Sequence, residues 1–222
     1  MIYLNLVSSI LFSILTTSSI TNPAYTEENN PEWNFVEERG EIIIYERWVH
    51  ISEDHKTRER KGEFSVKSPV SEVLYTIRNS NELLSWMPSA ISINVIECSE
   101  NMWVSHILFD APWPFKQRDL IAEYSIYRDS VDSHVLITVE AKPELLSKQE
   151  EVVRIESLIA SWEIYETESD LEVVYSALSD TPPVVPRWIQ DPITQKMFWE
   201  SLNNFRDQVH KNVLLANESQ VQ

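Results

Sequence analysis

The spacing of apolar positions changes along the chain, and the changes divide it into elements. "EIIIYERWVHIS" (41–52) and "TRERKGEFSVKS" (57–68) are rich in β-branched and aromatic residues, are joined by the polar "EDHK", and predict an antiparallel pair. In "SPVSEVLYTIRNSNELLSWMPS" (68–89) the period lengthens. Val70, Val73, Leu74 and Ile77 recur at helical spacing behind Pro69, with Ser68 or Ser71 as the expected cap and Pro88 as the stop. Alternation then returns in "ISINVIECS" (91–99), "MWVSHILFD" (102–110), "RDLIAEYSIYRD" (118–129) and "HVLITVEAK" (134–142), followed by the longer "VVRIESLIASWEIYET" (152–167) and "LEVVYSALSD" (171–180). Leu120, Ala122, Tyr124 and Ile126 share one strand face, and Glu123 and Ser125 the other. The last segment, 181–215, predicts a long amphipathic helix with Pro192 in its first turn and a stripe of Phe198, Leu202, Phe205 and Val209.

The order is two strands, a helix, about six strands and one long C-terminal helix. Consecutive strands with short turns imply an antiparallel sheet, and a single sheet of that size curls. The C-terminal helix is the element available to cover its concave face. The expected class is α+β with a helix-grip architecture: a curved antiparallel sheet wrapped around the helix, with an internal cavity.

Composition narrows the function. The chain has 222 residues, enough for a sizeable core, and a net charge of -17. That charge argues against a nucleic-acid partner, because phosphate binding needs a concentrated Lys/Arg surface. It also disfavours strong docking on anionic membranes. Only two glycines occur, Gly40 and Gly62, so phosphate loops, dinucleotide fingerprints and Gly-x-Ser-x-Gly elbows are excluded. The single cysteine, Cys98, excludes an intrachain disulfide and a multi-Cys metal site and reads as a buried strand residue. No cofactor and no metal are expected.

The N-terminal stretch "MIYLNLVSSILFSILTTSSITNPAYT" has no charged side chain and precedes an acidic run. It reads as a secretory signal peptide (1–25) with Ala24 near the cut, or as an uncleaved anchor. Either reading places the domain outside the cytoplasm, exported to a periplasm or secreted. One domain is expected over 26–215, with a polar tail over 216–222.

Candidate chemistry is sparse. The five histidines show no His-x-x-x-His spacing, and His106 reads as a satisfied strand histidine. In "RIE" (154–156) both charges fall on the strand face of Leu158, Ala160 and Trp162. A charge on a half-buried face needs a partner, so the pair reads either as a structural ion pair at the sheet edge or as a polar group lining a pocket. Trp103 shares a face with Ser105, Ile107 and Phe109, and bulky and small residues mixed in this way line a cavity as readily as they fill one.

The stretch "PWPFKQRDLI" (112–121), with Pro-x-Pro and then Arg-Asp before an apolar strand, resembles the corner of the START (StAR-related lipid-transfer) domain. "IYERWV" looks like that family's early strand, and "RWIQDPITQKMFWESLNNFRDQV" looks like its lid helix, so the resemblance covers nearly all of 31–212. It is that of a bacterial-type, single-domain member of the helix-grip (Bet v 1-like) superfamily. The resemblance implies a deep cavity holding one lipid or other hydrophobic small molecule, without catalysis. It also implies a lid helix, an entrance loop, and transient membrane contact during loading or release. Cavity-lining candidates are Trp103, Ser105, Ile107, Phe109, Leu120, Ala122, Tyr124, Glu156, Trp162, Phe198, Leu202 and Phe205. Pro112, Trp113 and Pro114 are assigned to the entrance, and Arg118 with Asp119 to a structural brace. Several sterol-binding members carry an arginine five residues after the Asp; here that position is Tyr124, so sterol specificity is not carried over. Two other classes compete. An aromatase- or cyclase-like enzyme would need acid/base groups in the cavity, from His106, Glu156 or Tyr124. An interaction module would show an exposed apolar patch over a collapsed cavity.

Overall fold

The computed structural model describes residues 32–220, apart from 54, 112–115, 130–132 and 181–185. The leader at 1–25 and the entrance residues Pro112, Trp113 and Pro114 therefore lie outside the described residues. The chain enters through β1 (Asn34–Arg39), which pairs antiparallel with β2 (Ile42–Ser52) across a two-residue loop. Gly40 and Glu41 both have positive φ, as a primed hairpin turn requires. Strand β1 escaped prediction because an edge strand exposes residues on both faces, so "NFVEER" shows no clean alternation.

After β3 (His55–Val66) come α1 (Val70–Arg78) and α2 (Ser80–Trp86), where one helical region was predicted. Neither Ser68 nor Ser71 caps α1; its N-cap is Pro69, with no side-chain cap. Asn79 makes the break, because its side chain accepts from the amides of Asn81 and Glu82 and starts a new helix. The remaining strands are β4 (Ala90–Cys98), β5 (Met102–Phe109), β6 (Arg118–Asp129), β7 (His134–Ala141), β8 (Val153–Arg154), β9 (Ile159–Glu166) and β10 (Leu171–Leu178). They form one sheet in the order β1-β2-β3-β10-β9-β7-β6-β5-β4, with the short β8 parallel to β6. The long strand predicted over 152–167 is thus two, separated by the extended segment 155–158.

The helix α3 (Arg187–Gln220) crosses the concave face. It starts at Arg187, so Pro192 lies inside it rather than in the first turn, and the helix continues into the stretch read as a polar tail. Gly62 shows how closely helix and sheet approach. A Cβ there would stand 2.1 Å from Leu202 Cδ1, so only glycine admits this packing. The C-terminal half of α3 is fixed to the small helices: Asn212 donates to Thr76 Oγ1 (3.1 Å) and to Glu82 (3.0 Å), and Gln208 donates to Glu82 (2.6 Å). No helix among the described residues is long and apolar enough to cross a membrane.

Candidate functional site

Strand register sorts the candidates by face. From β3 to β5, the row Arg60, Ala177, Ala160, Val139, Tyr124, Trp103 runs across five neighbouring pairings on the concave face. Beside it run Ala141, Ala122 and Ser105, and then Leu120 opposite Ile107. Trp103, Ser105, Ile107, Leu120, Ala122, Tyr124 and Trp162 are all buried here, and Phe109 is half-buried. From α3, Leu202 and Phe205 are buried and Phe198 is half-buried. The aromatic members meet: Trp103 stacks on Tyr124 at 4.5 Å, Trp162 packs on Phe205 at 4.6 Å, and Tyr175 stacks on Phe198 at 5.7 Å.

Sequence reasoning missed Tyr175 and Ala177, which pack against this interior without being fully buried. Strand β10 is central, paired on both sides, and its Tyr175 and Ala177 point beneath α3. Both nevertheless keep accessible surface. Tyr175 is deeply enclosed, and burial pushes its hydroxyl up to about 12. Tyr124 faces the same interior; burial first, and then neighbouring Tyr175, raise its hydroxyl far above the ordinary tyrosine range. Trp103 Nε1 and Ser105 Oγ are buried there with no hydrogen-bond partner among the described residues. Each such orphan costs roughly 1–3 kcal/mol unless something supplies a partner.

A groove of about 540 Å³ leads in from one side, between α1 and strands β4 to β6. Leu74, Tyr75 and Arg78 form one wall, and Val95, Trp103 and Ile126 the other. Cys98 sits on its rim and is exposed, contrary to the reading of a buried strand residue; its sulfur accepts from Arg78 at 3.0 Å.

Two candidates do not belong to this interior. Glu156 is exposed in the segment between β8 and β9 and pairs with Lys148 on the outside. Splitting the predicted strand removes the alternation that had placed it inward. His106 lies on the convex face, where it meets Asp119 at 2.9 Å. The Arg-Asp brace also needs correction, because neighbours in a strand point to opposite faces. Asp119 is buried on the convex side and pairs with Arg154 through two bonds of 2.8 Å. Burial pushes the Asp119 carboxyl up, but the hydrogen bonds from Arg154 and His106 outweigh it and hold the carboxyl below the usual range. Arg154 also donates to the carbonyls of Pro143 and Leu146, fixing the loop that covers it. Arg118 stands in the concave phase, opposite Phe109, and forms no ion pair among the described residues. Of the two readings of "RIE", the structural ion pair is the one present, with Asp119 rather than Glu156 as the partner of Arg154.

Among solved structures, the chain is similar to a STAR-related lipid transfer protein from Xanthomonas axonopodis, with a TM-score of 0.72 and 22% identity over 80% of this chain and 98% of that one. It is also similar to human STARD10 (0.68; 16% identity; 86% and 78% covered) and to human StAR-related lipid transfer protein 5 (0.67; 14%; 83% and 89%). The chain has the START fold. No family model and no curated protein matches it. At these identities the likeness is one of backbone. In START-fold terms, α3 occupies the position of the gripped helix, and the groove beside α1 opens towards the concave face that it covers.

Proposed function

We propose that this chain binds a lipid or other hydrophobic small molecule between the sheet and α3, without chemical transformation of it. The observation that carries the reading is the accessible surface of Tyr175 and Ala177 on a central strand beneath the helix, with Ala160 beside Ala177 on the neighbouring strand and Ala141 paired to Ala122 further across the sheet. The unpartnered Trp103 Nε1 and Ser105 Oγ add polar groups that a ligand can satisfy. An apolar ligand burying a few hundred Å² gains on the order of 5–10 kcal/mol before ordering costs. The START fold of the similar lipid-transfer structures supports the same reading.

The placement of candidate acid/base groups favours binding over catalysis. Of His106, Glu156 and Tyr124, only Tyr124 faces the interior, and its raised hydroxyl is a poor base near neutrality. Native mass spectrometry of the purified chain, before and after incubation with a mixed lipid extract, tests the proposal. Adducts of defined apolar mass, bound one per chain, are expected. A chain that takes up neither lipid nor a neutral naphthylamine probe refutes it.

A further inference from the structure

The concave face carries charge at one end, which the sequence reading did not assign. Arg58 and Arg60 alternate in phase with Gly62, which packs under Leu202 of α3, so both guanidinium groups lie beneath the helix. Glu46 and Trp48 face them from β2, and Arg187 and Asp191 from α3. Three guanidinium groups therefore meet two carboxylates. Arg58 is well paired, with Glu46 at 2.9 Å and Asp191 at 3.0 Å, and it lies over the Trp48 ring. Arg60 is not. Its side chain keeps 12% of its surface accessible and Glu46 stands 3.7 Å away; among the described residues its Nε, like that of Arg58, is buried without a hydrogen-bond partner. A charge taken out of water with so weak a partner is expensive.

Next to Arg60 in register is Ala177, followed by Ala160. Ala177 keeps accessible surface beside the under-paired guanidinium, and the row continues through the buried Ala160 and Val139 to Tyr124 and Trp103. Four strand spacings of about 4.8 Å separate Arg60 from Tyr124, roughly 19 Å along the sheet. A planar guanidinium with free donors matches a carboxylate, and small apolar residues beside it suit an alkyl tail.

We propose that the ligand is an anionic amphiphile with a single carboxylate, its head group on Arg60 and its tail over Ala177 and Ala160 towards Tyr124. This rests on the binding reading above and adds the ligand class to it. The excess of positive charge in the cluster, to which Lys56 over the Trp48 ring adds, favours an anionic head group, and a planar carboxylate there completes the pairing that Glu46 leaves unfinished.

Displacement of N-phenyl-1-naphthylamine, a neutral fluorescent probe, from the full chain by dodecanoate, dodecyl phosphate and dodecanol provides the test. The acid is expected to bind at least about tenfold tighter than the alcohol, as expected for a charge-assisted hydrogen bond, and no weaker than the phosphate. Arg60→Met is expected to bring acid and alcohol within about twofold, and Arg60→Lys to keep part of the preference. Acid and alcohol binding equally to the native chain overturns the proposal and leaves the binding reading standing. A tighter phosphate overturns the choice of head group. Failure of the probe and all three compounds to bind sinks the binding reading itself. If Arg60→Met does not fold, Arg60→Lys decides: an acid preference undiminished from that of the native chain places the head group elsewhere and refutes the assignment.

Discussion

Replacing Arg154 with methionine isolates the brace behind β6. Arg154 and Asp119 keep only 2% of their side-chain surface each, so the substitution leaves a carboxylate buried with His106 as its remaining partner. Removing one member of a buried ion pair costs about 3–5 kcal/mol. Two features place the expected loss near the lower end, at about 3 kcal/mol. His106 still donates to Asp119, and the exposed loop over 147–151 can open and admit water. For a domain of this size, each kcal/mol is worth about 2–4 °C, so Tm is expected to fall by roughly 6–12 °C. The pH dependence has a definite sign. The folded-state pKa of Asp119 is depressed, so its contribution is present above the unfolded value near 3.9 and is lost as pH falls through the lower folded value. In Arg154→Met that acid-side dependence shrinks. Urea unfolding at pH 7 and at about pH 2.5, below the unfolded value, with Arg118→Met as the comparison, provides the measurement. Arg118 is adjacent in sequence but on the other face, and its loss is expected to cost under about 1 kcal/mol, as at sites without a buried partner. Equal losses for the two arginines, or a loss below 1 kcal/mol for Arg154, would refute the assignment of the brace.

Further predictions concern the interior and the leader. Gly62→Ala drives a methyl group into Leu202, and overpacking of about 1–3 kcal/mol less the roughly 0.4–1 kcal/mol gained in the unfolded chain leaves a net loss of about 1–2 kcal/mol. A stability unchanged in urea would mean that α3 does not sit as described. Ala177→Phe places a ring on the half-buried site beneath α3 and is expected to weaken binding of the neutral naphthylamine probe at least tenfold while Tm falls by only a few degrees; undiminished binding places the ligand elsewhere. Asn212→Leu removes the bonds to Thr76 and Glu82 and is expected to cost about 1–3 kcal/mol through the orphaned polar groups, read by thermal melting. The segment 1–25 is proposed to direct export, and intact mass of the mature chain recovered outside the cytoplasm distinguishes cleavage near Ala24 from retention as an anchor.

Clean two-residue alternation made most of the sheet legible in the sequence. "RDLIAEYSIYRD" is β6 from its first residue to its last; Ala122, Tyr124 and Ile126 alternate with the half-buried Glu123 and Ser125, although Asp119 and Ile121 are buried on the other face as well. The stripe of Leu202, Phe205 and Val209 likewise marked the buried side of α3. Local pattern failed where local pattern was not the cause. Strand β1 exposes both faces, Asn79 starts a new helix through its side chain, and the chain leaves the strand after Arg154 as its side chain reaches Asp119.

Sequence by itself therefore determined the strands that alternate, the amphipathic helix that covers them, the resemblance to the START domain, and the classes of chemistry that two glycines and one cysteine exclude. Only the tertiary structure decided which carboxylate Arg154 meets, that Arg118 and Asp119 part to opposite faces, and that Arg60 ends beside Ala177 beneath α3. The reason is physical. Periodicity reports which residues share a face of one element, whereas a charge finds its partner across strands, 35 residues away for Asp119 and Arg154. Whether a buried face is packed or leaves room depends on what every neighbouring strand and the helix place opposite it.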